Sequence, residues 1–477
     1  MIINRLTSFF YLVFSFILIL FIYTLIEYQG SGYVYILFTL VSNVLLYFGF
    51  RKNALFFDTF IGIFFWLGFW LKFSYRIAFE HGHFLNHLGE FDGTGQSFDQ
   101  VLLITTCGFV GLLIASCVRE KFIFAYPEKL NKIELNGLFQ LYKNHRKLVL
   151  SLFVILFFTI SFTNVYFGIY QRGTIPSLVL PYGGSGVYKW LLLFGCASFS
   201  ALILHFEFVL NKKTSYLIVV ISLFESFLTN VSLLSRGMIL NVSALVYGVI
   251  ISLKVYSIKS SYKFLINSFF IFLILFVTSI FLVNQLRYNF IKLEAIETET
   301  VTVTVTSTGL SSHQKTIVKL LLDRWVGIEG VMSISSYPKK GWSLWHDAWQ
   351  ETFIYNKNSF YDQRIIESRY NNQESVNKHS ISLPGILAFC FYPGSFLFLF
   401  FCMFSLGLIA AFIEISIYKL GGKNLILCAL LAQVVATRYA HFGYVPRQSF
   451  LLFGALYLNL FIFYFTNKLI IVFLKNK

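Results

Sequence analysis

Apolar runs recur along this chain at the length a hydrocarbon layer demands. A helix crossing such a layer needs roughly 20 mostly apolar residues, and it must satisfy its own backbone hydrogen bonds because no water is there to do so. Runs of that kind are read at 6–27, 32–50, 54–74, 99–118, 147–168, 188–209, 215–234, 238–254, 264–284, 382–418, 424–440 and 448–473. The expected fold is therefore all-α, a polytopic integral membrane protein of about twelve transmembrane helices. The run at 382–418 is long for one span, and Pro384 with Pro393-Gly394 is expected to divide it into an oblique lead-in and a spanning helix. Leu6 to Ile26 has no small-residue cleavage site behind it and reads as a retained first helix rather than a signal peptide.

Composition supports this reading. Only 13% of the residues are charged and 57% are hydrophobic. A soluble domain carries about 25% charged residues, so this chain lacks the polar surface to coat a water-soluble fold. The formal net charge of +16 would suit a nucleic-acid binder if it lay on one face. Instead the cations fill the short gaps between runs, which argues against nucleic acid as a partner. The six cysteines, Cys107, Cys117, Cys196, Cys390, Cys402 and Cys428, lie in or beside apolar runs, which fits neither a disulfide framework nor a zinc site.

Every second connection is basic. Arg51-Lys52 forms one, the stretch from Arg119 to Lys147 the next, and Lys212-Lys213 the third; Lys254 to Lys263, Lys419 with Lys423, and the tail Lys475 and Lys477 follow. By the positive-inside rule these connections and both termini are expected in the cytoplasm, with a bacterial inner membrane as the location. The chain then divides into residues 1–284 with nine helices, a large periplasmic loop at 285–381, and residues 382–477 with three more. In the loop, Glu297 to Thr308 alternates Thr with Glu or Val and reads as extended. Lys315 to Ser336 has an apolar stripe at helical spacing, and Trp342 to Phe353 reads as a second short helix with Trp342, Trp345 and Trp349 as interface anchors.

Ionisable residues at the membrane mouth are costly and prompt a functional reading. Arg236, in Ser235-Arg236-Gly237, breaks two apolar runs and can fork onto two phosphate oxygens; the plainer reading is a snorkelling helix cap. Arg438, His441 and Arg447 share the short outer turn before the last run, where the positive-inside rule disfavours cations. They form a candidate anion site, against the alternative of ordinary interfacial charge. His379 ends the long loop directly before a span and is a candidate general base, unless it is simply solvated. Arg324 lies on the loop helix, facing either a cavity or the local carboxylates Asp323 and Glu329. Arg172 and Arg287 are further candidates of the same kind. His81, His83 and His87 are spaced too loosely to argue for a metal, and the chain has no phosphate loop, serine elbow, zinc-protease pattern or outer Asp-x-Asp.

The arrangement resembles bacterial O-antigen or oligosaccharide repeat-unit polymerases of the Wzy type, relatives of the O-antigen ligases. The likeness rests on many spans with one large late loop, on Ser235-Arg236-Gly237, and on the stretch Asp323-Arg324-Trp325-Val326-Gly327-Ile328-Glu329-Gly330. His379-Ser380 followed by Gly385 and Tyr392-Pro393-Gly394 is similar to the histidine that precedes a glycine-containing helix start in both groups. Ligases usually carry His-Asn there, and this chain has His-Ser. The resemblance implies a GT-C-like bundle working without metal or cofactor. Undecaprenyl-diphosphate-linked oligosaccharide would be both donor and acceptor, in the surroundings of membrane lipids and with a chain-length regulator as a further protein partner. Arg236, Arg438 and Arg447 would hold diphosphate, Arg324 donor sugar or phosphate, and His379 would be the base, with His441 second in line. An O-antigen ligase, with nearly the same chemistry, is one rival, and a lipid-linked oligosaccharide flippase or transporter is the rival of another class. It would be expected to show two related halves and charges deep in its spans, and the sequence shows neither plainly.

Overall fold

The computed structural model describes residues 2–84, 87–127, 135–211, 216–235, 237–256, 262–297, 322–354, 357–367 and 381–475. Helices α1 (Ile2–Glu27), α2 (Gly32–Phe50), α3 (Phe56–Glu80) and α4 (Gly95–Phe122) come first. The short α5 (Asn136–Asn144) leads into α6 (Arg146–Phe167), α7 (Gly184–Asn211), α8 (Tyr216–Ser232), α9 (Met238–Val255) and α10 (Tyr262–Glu297). Four short helices follow: α11 (Ile328–Ser336), α12 (Trp342–Trp349), α13 (Phe360–Arg364) and α14 (Ile386–Cys390). The chain closes with α15 (Phe396–Leu420), α16 (Leu425–Ala440) and α17 (Ser449–Lys475). A helix stands at every run read from the sequence. Nine helices among the described residues are long and apolar enough to cross a membrane, and three shorter apolar ones accompany them. The protein is an all-helical, polytopic membrane protein.

The bundle is built around α16. Nearly all of its 16 residues are buried, and it packs against α3, α7, α9 and α15. A helix of this length rises roughly 24 Å. Its start is fixed by Asn424, whose side chain accepts from the N–H groups of Ile426 and Leu427 and donates to the Ala201 carbonyl of α7. The first turn of α3 has no local cap. Glu414 of α15 supplies one, accepting from Phe56 N at 2.8 Å and Phe57 N at 2.9 Å. At the opposite extreme, α10 buries few of its residues against the rest.

Contacts define two ends. The basic-loop end gathers residues 51–55, 119–126 and 414–424. The other end carries the four short helices as a cap, together with residues 168–183, 233–235, 237 and 441–448. The long lead-in splits as expected, into α14, a turn at Tyr392-Pro393-Gly394, and α15.

The loop helix expected at 315–336 is broken within its described part. Residues 315–321 lie outside the described residues, and in the remainder a continuous α-helix begins only at Ile328. The cause is visible. Lys72 Nζ takes the Trp325 carbonyl at 2.8 Å, the oxygen that a continuing helix would offer to residue 329. A Cβ on Gly327 would collide with the Gly68 carbonyl, at a π-helical turn (Trp66–Leu71) inside α3. A Cβ on Gly330 would collide with the Pro384 carbonyl. Close backbone approach, which only glycine permits, therefore binds the loop, α3 and the lead-in to α14 at the cap end.

Candidate functional site

The C-terminal end of α16 delivers two polar side chains to the cap end, Arg438 and His441. Arg438 donates to the Ser449 hydroxyl, from Nη2 at 2.7 Å and from Nε at 3.2 Å, and reaches the Tyr444 carbonyl at 3.5 Å. Its guanidinium lies 5.4 Å from the Phe442 ring centroid. His441 follows directly after the helix. Its Nδ1 is 3.0 Å from the Thr437 carbonyl. A carbonyl only accepts, so Nδ1 carries the proton and Nε2 of the neutral ring keeps its lone pair.

A second strip of chain comes from the loops after α6 and α8. Arg172 N donates to the Leu233 carbonyl at 2.9 Å. Arg287 of α10 donates to the Leu234 carbonyl, from Nη2 at 2.6 Å, and reaches the Arg172 carbonyl at 3.4 Å. Leu234 holds a left-handed φ of 51°, a strained conformation for a branched side chain that clusters at functional sites. Ser235 Oγ accepts from Gly237 N, and a Cβ on Gly237 would stand 3.9 Å from Arg172 Nη1.

The third contribution is Arg324. Its neighbours fasten it to α3. Asp323 pairs with Arg76, which also pairs with Glu80. Glu329 pairs with Lys72 at 2.7 Å, and Trp325 stacks on Phe64 with centroids 5.8 Å apart. The two carboxylates that the sequence offered to Arg324 are thus engaged by cations of α3.

These strips meet at His441. Burial pushes its pKa down to about 4, and the charges of Arg172, Arg324 and Arg438 act in the same direction; the bond to the Thr437 carbonyl opposes them. Three guanidinium charges thus act on one neutral imidazole, an arrangement that can attract an anion. Arginine suits this role because its charge is permanent and its donors match phosphate oxygens in pairs.

Of the expected site residues, Arg438 and His441 share one turn, the charges of Arg172 and Arg324 reach the His441 ring, and Arg287 holds the strip that carries Arg172. Arg447 sits exposed on the 3-10 turn Pro446–Gln448, and no described contact joins it to Arg438. Arg236 and His379 lie outside the described residues. His81 is exposed, 3.9 Å from Glu27, and among the described residues no three His, Cys, Asp or Glu side chains gather as a metal site. All six cysteines are free. The reading of the sequence passed over Lys72 and Arg76. The available signal was a lysine inside the third apolar run, an expensive place for a charge without a task.

No protein-family model matches the chain, and comparisons with curated proteins and with solved structures likewise find no match.

Proposed function

We propose that this protein is a polymerase of lipid-linked oligosaccharide repeat units, a metal-independent membrane glycosyltransferase of the Wzy type. The observation that carries the proposal is Arg438, held on the Ser449 hydroxyl and the Tyr444 carbonyl in the turn that carries His441 at the cap end of a membrane bundle, with the charges of Arg172 and Arg324 reaching the same imidazole. An undecaprenyl diphosphate leaving group gathers negative charge as its glycosidic bond breaks, and preorganised guanidinium groups stabilise that charge without a metal. The acceptor hydroxyl of an incoming lipid-linked unit attacks the anomeric carbon, the carbon–oxygen bond to diphosphate breaks, and the hydroxyl proton passes to a base. His441 Nε2 has the lone pair for this step. His379 and Arg236 keep, on sequence grounds alone, the roles of alternative base and diphosphate ligand.

In this reading the bundle has about twelve spans in a GT-C-like arrangement in the bacterial inner membrane. The cap end faces the periplasm, and the termini and basic loops face the cytoplasm. The product is O-antigen or a similar surface polysaccharide.

The test is a gel profile of surface polysaccharide from cells lacking the gene, complemented with wild type, Arg438→Ala, Arg324→Ala or His441→Ala. The expected outcome is a long ladder with wild type and a single-repeat band with the variants at equal protein level. Loss of every repeat, including the first, would assign the protein to the flippase or ligase class. A ladder unchanged by deletion would refute the proposal.

A further inference from the structure

Beside the arginine cluster the cap holds a cleft of about 200 Å³ that the chemistry above does not use. It opens between the end of α12 and α13, and Tyr444, from the turn that carries His441, forms one wall. Ligand sites for drug-sized molecules run to roughly 300–1,000 Å³, so this cleft takes one ring and not a whole oligosaccharide. Its lining includes Asp347, Gln350, Asn358, Gln363 and Tyr444. Residue types with amides that both donate and accept, a carboxylate that accepts and an aromatic ring suit a ring edged with hydroxyls. Asp347 and Glu351 outnumber Lys357 along the lining. An anion is thereby disfavoured here, in contrast to the cluster next door.

The cleft is preformed. The Glu351 carboxylate accepts from Phe360 N at 2.5 Å and from Val445 N at 2.8 Å, and Gln363 Nε2 donates to the Asn358 carbonyl at 3.1 Å. The same turn serves both sites: the Tyr444 carbonyl receives Arg438 while Val445 N is held by Glu351. A ring in the cleft and a diphosphate at the arginines would therefore sit at a fixed separation, set by one short strip of backbone.

We propose that this cleft is a sugar subsite, holding one uncharged ring of the glycan carried by the lipid diphosphate. The inference rests on the polymerase reading for its ligand, but its test does not depend on that reading. The measurement is binding to purified full-length protein in detergent. The probes are oligosaccharide released by mild acid from the lipid-linked repeat units of cells lacking the gene, and bare undecaprenyl diphosphate. The variants are Thr352→Trp, which fills the cleft from an exposed lining position, and the double variant Asp347→Ala/Gln350→Ala. Both sets leave the arginines untouched.

The proposal expects wild type to bind the free oligosaccharide and both variants to bind it about tenfold more weakly, the equivalent of about 1.4 kcal/mol. Bare undecaprenyl diphosphate should bind all three proteins alike. Oligosaccharide binding that is absent in wild type, or unchanged in the variants, would overturn the subsite. Oligosaccharide binding that is lost in the variants, with no binding of bare diphosphate by wild type, would leave the subsite standing and overturn the polymerase reading.

Discussion

The two ends of the bundle treat their cations in opposite ways. At the basic-loop end, arginines meet carboxylates: Arg51 reaches Glu120 at 3.1 Å, Arg119 reaches Asp58 at 2.7 Å and Arg146 reaches Glu207 at 2.6 Å. At the cap end, the carboxylates Asp323, Glu329 and Glu80 are claimed by Arg76 and Lys72 of α3. Arg438 lies instead on the Ser449 hydroxyl and the Tyr444 carbonyl. Charge pairs at one end fasten helices and leave little field. A guanidinium resting on neutral oxygens at the other end keeps its field, which is what an anionic ligand needs. Lys72 and Arg76 fasten the segment that bears Arg324 through Glu329 and Asp323.

The sharpest way to break the comparison is to remove the fastening. Lys72 is fully buried, so Lys72→Met leaves the Glu329 carboxylate buried without its partner. Breaking such a pair costs about 3–5 kcal/mol. Thermal unfolding in detergent should show a large loss of stability, and the double variant Lys72→Met/Glu329→Gln should recover much of it. Equal losses in the single and double variants would show that the pair is not what holds the loop.

This fastening is also where the sequence ran out. The helices were legible because each apolar run carries its own signal, and so was the break at Pro393-Gly394. The outer turn with Arg438 and His441 stood out because cations there have no topological purpose. The pairs Lys72–Glu329 and Arg76–Asp323 join residues 257 and 247 positions apart, and no local pattern encodes such a partner. The early bend of the loop helix has the same origin, since a lysine of α3 takes the Trp325 carbonyl. Arg172 looked like a weak candidate in the sequence because its loop is tied to Leu233 and to Arg287 only in three dimensions.

Next in size is the loss of a ligand at the anion site. Arg438→Ala and Arg324→Ala should each lower polymerisation about a hundredfold, the scale for removing one preorganised donor to a developing charge. Arg438→Lys should recover only part, because lysine keeps the charge and loses the fork. Initial rates in membrane vesicles at matched protein levels would measure both effects.

His441 sharpens the comparison through pH. Its folded pKa, near 4, lies below the value of about 6.5 expected in an unfolded chain. The unfolded state therefore binds more protons between these values, and stability should fall as pH drops from about 6.5 towards 4. Above that window His441 is neutral in both states and contributes no slope. Unfolding curves across pH 4–7 for wild type and His441→Gln should differ in this slope, with the variant flatter. Identical slopes would contradict the lowered pKa assigned to this buried ring.

The smallest effect is expected at Arg447, which is exposed and outside the cluster. Arg447→Ala should change stability by no more than about 0.5 kcal/mol and should leave the ladder nearly unchanged. A loss as large as that of Arg438→Ala would place Arg447 in the site.

The central claim is that the cap end is a diphosphate site, and direct binding tests it best. Purified protein would be titrated with undecaprenyl diphosphate and with uncharged undecaprenol, for wild type and for the triple variant Arg172→Gln/Arg324→Gln/Arg438→Gln. The account predicts that wild type prefers the diphosphate strongly, that added salt weakens this preference, and that the triple variant binds both lipids alike. Equal binding of the two lipids by wild type, or a preference that survives in the triple variant, would contradict it.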